Sequence, residues 1–185
     1  MTTKKITASA LLIALATVLM WVSKMIPAPW LQGGSITLAS MVPILLVGMC
    51  FGTKWGLCSA ISYAIIQMIT GFYPPPTQNL LSFVLVVFLD YIFAFGVLGL
   101  SGIFYSAFGK KLFAVPLSAF IVTFLRYICH IISGILIWGV YADSEQSILL
   151  YSIVYNGSYM IPEIIITTVV AVIIGKIPQI TKIKN

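Results

Sequence analysis

The chain has 185 residues, 61% hydrophobic and 8% charged, with a mean hydropathy of +1.11, a composition that assigns it to a bilayer rather than to solution. Six spans of ~20 residues leave only ~65 for termini and connections, which excludes a soluble catalytic or nucleotide-binding domain, and no G-x-x-x-x-G-K-[ST] run supplies an ATP-hydrolysing P-loop. The net charge of +6 comes from ten Lys and Arg against four Asp and Glu; these basic residues sit at the ends of apolar runs, not on one polar face, so nucleic acid is not a partner.

Apolar runs at 6–26, 36–51, 55–72, 80–108, 112–140 and 148–174 predict an all-α integral membrane protein of six transmembrane helices, a single domain over 1–185. Lys4 and Lys5 ahead of the first run resemble the start of a signal peptide, but the run is long and five more follow, so it reads as the first span. That span carries Ala10-x-x-x-Ala14, a small-residue spacing that lets helices approach closely, either within this protein or against another. The second and third runs are short and separated only by Gly52, Thr53 and Lys54, which predicts a tight turn or helices tilted from the membrane normal. Two connections, 27–35 and 73–79, are rich in Pro, Gly, aromatic and amide residues; each is either a simple turn or a shaped lid over an external pocket.

Basic residues set the orientation. With a cytoplasmic N-terminus, Lys4, Lys5, Lys54, Lys110, Lys111, Lys176, Lys182 and Lys184 lie inside and only Lys24 lies outside, so both termini are cytoplasmic. No internal repeat suggests the two-fold architecture common among secondary transporters. Cys50, Cys58 and Cys129 lie in apolar segments without C-x-x-C spacing and read as buried free thiols, and a single histidine excludes a His-rich metal cluster; no metal site is expected.

Ionisable residues are expensive in a bilayer, so Asp90, Arg126, His130 and Glu163 should face the protein interior. At ~1.5 Å of rise per residue, Asp90 and His130 both lie ~15 Å below the outer surface, with Arg126 about one turn deeper. Arg126, His130, Gly134 and Trp138 recur every four residues on one helical face, and Tyr151, Tyr155 and Tyr159 do so on the sixth span, with Asn156 beside them. Imidazole, indole, phenol and amide groups around a glycine suit a small, polar, aromatic ligand. Other readings stay open: a structural Asp90–Arg126 ion pair, a helix-bonding His130, and interfacial anchoring for Trp21 and Tyr141. Glu163, next to Pro162, has no assigned role.

Leu89-Asp90-Tyr91, the run Leu125-Arg126-Tyr127-Ile128-Cys129-His130-Ile131-Ile132-Ser133-Gly134, Tyr151-Ser152 with Tyr155-Asn156, Met41-Val42-Pro43-Ile44 and the small-residue first helix resemble the thiamine-specific S components of energy-coupling factor (ECF) transporters. The resemblance covers nearly the whole chain. It implies a non-enzymatic, substrate-capturing subunit of a bacterial cell membrane that takes thiamine from outside. A T component and two cytoplasmic ATPases would be its partners, the ATPases hydrolysing ATP and the chain itself holding no cofactor. By matching position, Asp90, His130, Tyr151 and Asn156 would be polar ligands of thiamine, Trp138 and Tyr63 would stack on it, Tyr91 and Gly134 would line the pocket, and Ala10 and Ala14 would face the T component. Family members often carry Glu where this chain has Asp90, and some carry Trp and Glu where it has Gly33-Gly34-Ser35 and apolar residues; Trp30 or Gln32 would then serve the lid in their place. These departures keep open an S component for another cationic or aromatic vitamin or precursor. A stand-alone secondary transporter is a further alternative, and an intramembrane enzyme lacks a G-x-S-x-G elbow.

Overall fold

The apolar runs form helices because a bilayer offers the backbone no other hydrogen-bonding partners. The computed structural model describes residues 2–25 and 34–177, and among these it contains six helices and no strand. They are α1 (Thr2–Ser23), α2 (Met41–Phe51), α3 (Thr53–Gly71), α4 (Leu80–Ala107), α5 (Ala114–Leu136) and α6 (Ile148–Gly175). The helices α1, α4, α5 and α6 are long and apolar enough to cross a membrane. Their outer faces carry large side chains such as Leu11, Phe88, Phe120 and Ile165, which suit lipid contact.

Two runs differ from expectation. The second begins its helix at Met41, not near residue 36, so α2 has 11 residues and rises ~16 Å, about half a hydrocarbon core. Its residues Met41–Cys50 are buried on every side, as expected for a helix that is hydrophobic all round and central to the bundle. The fifth run breaks at Ile137, and a short 3-10 turn, Trp138–Tyr141, follows α5. Pro43 and Pro116 fall in the first turns of α2 and α5, where no intrahelical donor is lost.

The turn between α2 and α3 is a single residue, Gly52, at φ +90°. Just beyond it, glycines bring three helices into backbone contact. A Cβ on Gly56 would lie 2.5 Å from the Gly99 carbonyl oxygen, and one on Gly102 would lie 2.4 Å from that of Gly48. Ser101 crosses the same junction, its hydroxyl donating to the Leu45 carbonyl at 2.6 Å. This small-residue packing joins α2, α3 and α4. In contrast, Ala10 and Ala14 on α1 are exposed. Cys50 is buried as expected, but Cys58 is exposed on the outer face of α3 and Cys129 is intermediate.

The chain order alternates the helices, so Lys4, Lys5, Lys54, Lys110, Lys111 and Lys176 gather at one end of the bundle. At the other end, the end of α1 with Lys24, the start of α2, the walls of α3 to α6 and the irregular stretch 34–40 line a cavity.

Candidate functional site

Non-helical backbone in a membrane protein is tolerated where it is buried in protein or lines a cavity; within 34–40, Thr37, Ala39 and Ser40 are buried, and Gly34–Thr37 and Ser40 line the cavity. Its polar groups find fixed partners. The Thr37 backbone N–H and hydroxyl both donate to the Glu163 carboxyl on α6, Ser40 donates to the Thr37 hydroxyl oxygen at 2.9 Å, and the Leu38 N–H donates to the Ser23 hydroxyl at 2.8 Å. Glu163, unassigned from sequence, therefore ties this stretch to α6 and is fully buried doing so. Gly34, at φ +102°, brings its backbone onto the Tyr159 ring, where a Cβ would lie 2.7 Å away. Tyr159 thus forms the wall beside the glycine. Trp30 and Gln32 lie outside the described residues.

The cavity has a volume of about 620 Å³, enough for a drug-sized ligand. Asp90 organises one wall. It sits in a π-helical stretch of α4, Val87–Phe93, a wider turn than the α-helix and one that often marks functional positions. Asp90 Oδ1 lies 3.0 Å from His130 Nδ1, while Oδ2 accepts from the Ser133 hydroxyl at 2.6 Å and from Trp138 Nε1 at 3.0 Å. Three groups from α5 and its following turn therefore converge on one carboxylate, which can only accept. The common depth of Asp90 and His130 read from helical rise corresponds to this contact. With Nδ1 donating to Asp90, His130 presents Nε2 as an acceptor.

Asp90 and Arg126 form no ion pair. The Arg126 guanidinium lies over the Phe95 ring, 3.8 Å from its centroid, and Nη1 donates to the Ala94 carbonyl at 3.3 Å. Asn156 is also committed to the protein: Nδ2 donates to the His130 and Ser152 carbonyls at 3.2 and 2.9 Å, and Oδ1 accepts from the Tyr159 hydroxyl. It holds α6 against the His130 turn of α5.

Asp90, Tyr91, His130, Trp138, Tyr151 and Asn156 all line the cavity. Tyr91 accepts from the Tyr73 N–H at 2.9 Å and donates to the Gly71 carbonyl at 3.2 Å, fixing the end of α3 and placing Tyr73 across from Trp138, ring centroids 5.5 Å apart. The connection 73–79 thus contributes an aromatic wall at Tyr73 and a helix cap at Asn79, whose side chain accepts from the Ser82 N–H at 2.7 Å. Tyr151 stacks on Tyr155, centroids 5.6 Å apart.

Two expected pocket residues lie elsewhere. Tyr63 is fully buried behind the wall, with its ring edge-on to Phe95 at 5.2 Å and its hydroxyl 3.4 Å from the Ala16 carbonyl. A stacking role does not follow from that position. Gly134 faces α6, where a Cβ would meet Ser152 Oγ at 2.0 Å, so it makes room for a helix and not for a ligand. Sequence reasoning passed over Ser133, three residues beyond His130 on the same helical face, and Gln67, a lone amide in α3.

Four buried polar atoms on cavity-lining residues have no partner among the described residues: Gln67 Nε2, Arg126 Nε, His130 Nε2 and Tyr151 Oη. Buried polar groups are normally satisfied, so a cluster of unpaired ones around a cavity marks a place for a polar ligand or ordered water.

Comparison with known proteins agrees with this setting. A family model described as thiamine transporter protein (Thia_YuaJ) matches residues 6–182. The thiamine transporter ThiT of Bacillus subtilis is 35% identical over an alignment covering 75% of this chain and 73% of that protein. ThiT of Lacticaseibacillus paracasei is 26% identical, covering 78% and 76%. A solved structure of ThiT from Listeria monocytogenes superposes with a TM-score of 0.74 at 22% identity, covering 97% of this chain and 98% of that one, and so shares the fold.

Proposed function

Since the chain belongs to the thiamine transporter protein family, we propose that its cavity binds thiamine, capturing it at the outer face of a bacterial cell membrane. Thiamine joins a permanently cationic thiazolium to an aminopyrimidine carrying an amine and ring nitrogens. The observation that carries the reading is the Asp90 cluster: one carboxylate fixes both an imidazole and an indole on the wall of a cavity that aromatic side chains also line. Its charge favours a cation. An aromatic face on that cation adds ~0.5–2 kcal/mol, and Trp138 and Tyr73 supply such faces. His130 Nε2, as an acceptor, pairs with the ligand amine, and the Tyr151 hydroxyl offers a second polar contact.

Capture is one part of import. The sequence carries no P-loop of its own, so ATP-driven import would draw its energy from partners, and we assign these as a T component and two cytoplasmic ATPases. The exposed Ala10 and Ala14 on α1 offer a small-residue surface for the T component. The test of capture is calorimetric titration of the purified chain with thiamine: saturable binding at one site per chain is expected, and tighter binding of a different vitamin would move the substrate. ATP-dependent thiamine uptake by vesicles only when the partner subunits are added supports the assembly; uptake by the chain alone counts against it.

A further inference from the structure

Arg126 is the residue that the thiamine reading leaves without a purpose. A positive charge beside a cavity for a cation opposes binding, and at 9% exposure its burial is costly as well. No carboxylate lies within ion-pair distance of it among the described residues, where the ion pair found joins His130 to Asp90. What holds Arg126 is α4. Nη1 donates to the Ala94 carbonyl at 3.3 Å, and the guanidinium carbon lies 3.8 Å from the centroid of the Phe95 ring. Tyr63 on α3 backs that ring edge-on, centroids 5.2 Å apart.

Ala94 and Phe95 stand at a change of winding. Over Val87–Phe93 α4 is π-helical; it returns to α-helical winding at Ala94–Gly96 and tightens to 3-10 over Val97–Leu100. Where the bonding period changes, the regular ladder is interrupted, and a buried carbonyl takes donors from elsewhere. Arg126 supplies one at Ala94, the first residue past the π-helical stretch. Further down, the helix cannot turn. Ser101 donates to the Leu45 carbonyl, and the backbone at Gly99 and Gly102 lies against Gly56 and Gly48. With that end fixed, the winding of 87–96 decides where Asp90 points. Reversion of the π-helical stretch to α-helix would turn the residues above it by one residue's angle, ~100°, and carry Asp90 away from His130, Ser133 and Trp138.

We infer that Arg126 is a positioning residue: by gripping Ala94 and Phe95 it holds the wide winding of α4 that aims the Asp90 carboxylate at its three partners. It acts on binding through Asp90 and not by touching the ligand. The placement of Asp90 stands on the geometry of α4 and α5 alone, while its consequence for affinity rests on the thiamine reading.

The experiment compares the full chain with Arg126→Met and Arg126→Lys, each alone and combined with Asp90→Asn. Met removes both donor and charge, whereas Lys keeps both and loses the planar fork. Without ligand and above neutral pH, nitrogen NMR of labelled histidine reads the placement of Asp90 directly, because His130 is the single histidine in the chain. In the wild type the proton sits on Nδ1, held by Asp90; in Arg126→Met it moves toward Nε2, with Arg126→Lys between the two. An unchanged Nδ1–H signal in Arg126→Met overturns the proposal. Calorimetric titration with thiamine then reads the consequence. Arg126→Met binds about tenfold more weakly or worse when Asp90 is present, and within about threefold of its parent in the Asp90→Asn background, because two residues acting as one unit are not additive. Equal losses in both backgrounds overturn the proposal, since Arg126 then acts independently of Asp90. Tighter binding by Arg126→Met overturns it too, the repelling charge being then the main effect. If Arg126→Met does not fold, Arg126→Lys carries the same two readings at smaller size; failure of both to fold assigns Arg126 to the fold and overturns the proposal. A wild type that binds no thiamine overturns the substrate reading, and the His130 signal then decides the positioning claim by itself.

Discussion

Replacing Asp90 by Asn separates holding the wall from holding the ligand. Asp90 Oδ2 takes two donors and Oδ1 takes one. In the variant, the amide oxygen at the Oδ2 place keeps Ser133 and Trp138, while the new NH2 faces His130 Nδ1. His130 accepts there only in the tautomer with its proton on Nε2. All three contacts survive as neutral hydrogen bonds, each about half as strong as its charge-assisted counterpart, for a folding cost of ~2 kcal/mol. Binding suffers twice. Removing a unit charge ~5 Å from the thiazolium, at an effective dielectric near 20, costs ~3 kcal/mol, and turning His130 Nε2 from acceptor to donor leaves the ligand amine mismatched at ~1–3 kcal/mol. Together these give ~4 kcal/mol or more, about a thousandfold in Kd. The assay is calorimetric titration of Asp90→Asn with thiamine alongside its thermal unfolding without ligand in the same detergent. A Kd within tenfold of the wild type, or a binding loss no larger than the loss of stability, refutes the reasoning.

Gly99→Val puts a branched side chain where a Cβ already lies 2.5 Å from the Gly56 carbonyl carbon and the Leu57 nitrogen; the α2–α3–α4 junction must open, at ~3 kcal/mol or more, and an unfolding midpoint equal to the wild type contradicts the packing account. Glu163→Leu leaves the Thr37 N–H unpaired beside α6 and costs ~2–4 kcal/mol, while Glu163→Gln keeps one acceptor and costs less; thermal unfolding should rank wild type, Gln, Leu in falling order. Trp138→Phe keeps an aromatic face and removes the N–H that reaches Asp90 and Ser133; thiamine affinity should fall by about tenfold, for one charge-assisted bond, and an unchanged Kd argues that the indole orientation is not set by that bond.

Six helices were legible because apolar length and the placement of lysines carry that information directly. The meeting of Asp90 with His130 was legible for a related reason, since rise per residue converts sequence distance from a span end into depth. Periodicity alone failed at Gly134, and it placed Trp138 at the cavity without the turn that carries it there. A four-residue stripe puts Gly134 on the His130 face, but α5 turns that part of its surface toward Ser152, and Trp138 reaches the cavity only because the helix ends at Leu136 and a tighter turn redirects the chain. The π-helical stretch around Asp90 leaves no periodic signal, because it interrupts the period being read. Glu163 was recognised as costly, yet its partner Thr37 lies 126 residues away in irregular backbone, a pairing that only the folded chain brings together.

The central claim is that this cavity selects thiamine through its Asp90 wall. Its most direct test is tryptophan fluorescence of the purified chain titrated with thiamine, with Trp138→Phe as the control among the four tryptophans. The account predicts saturable quenching at one thiamine per chain, largely lost in Trp138→Phe while calorimetry still detects binding. No saturable response in the wild type, with no heat of binding, would contradict it.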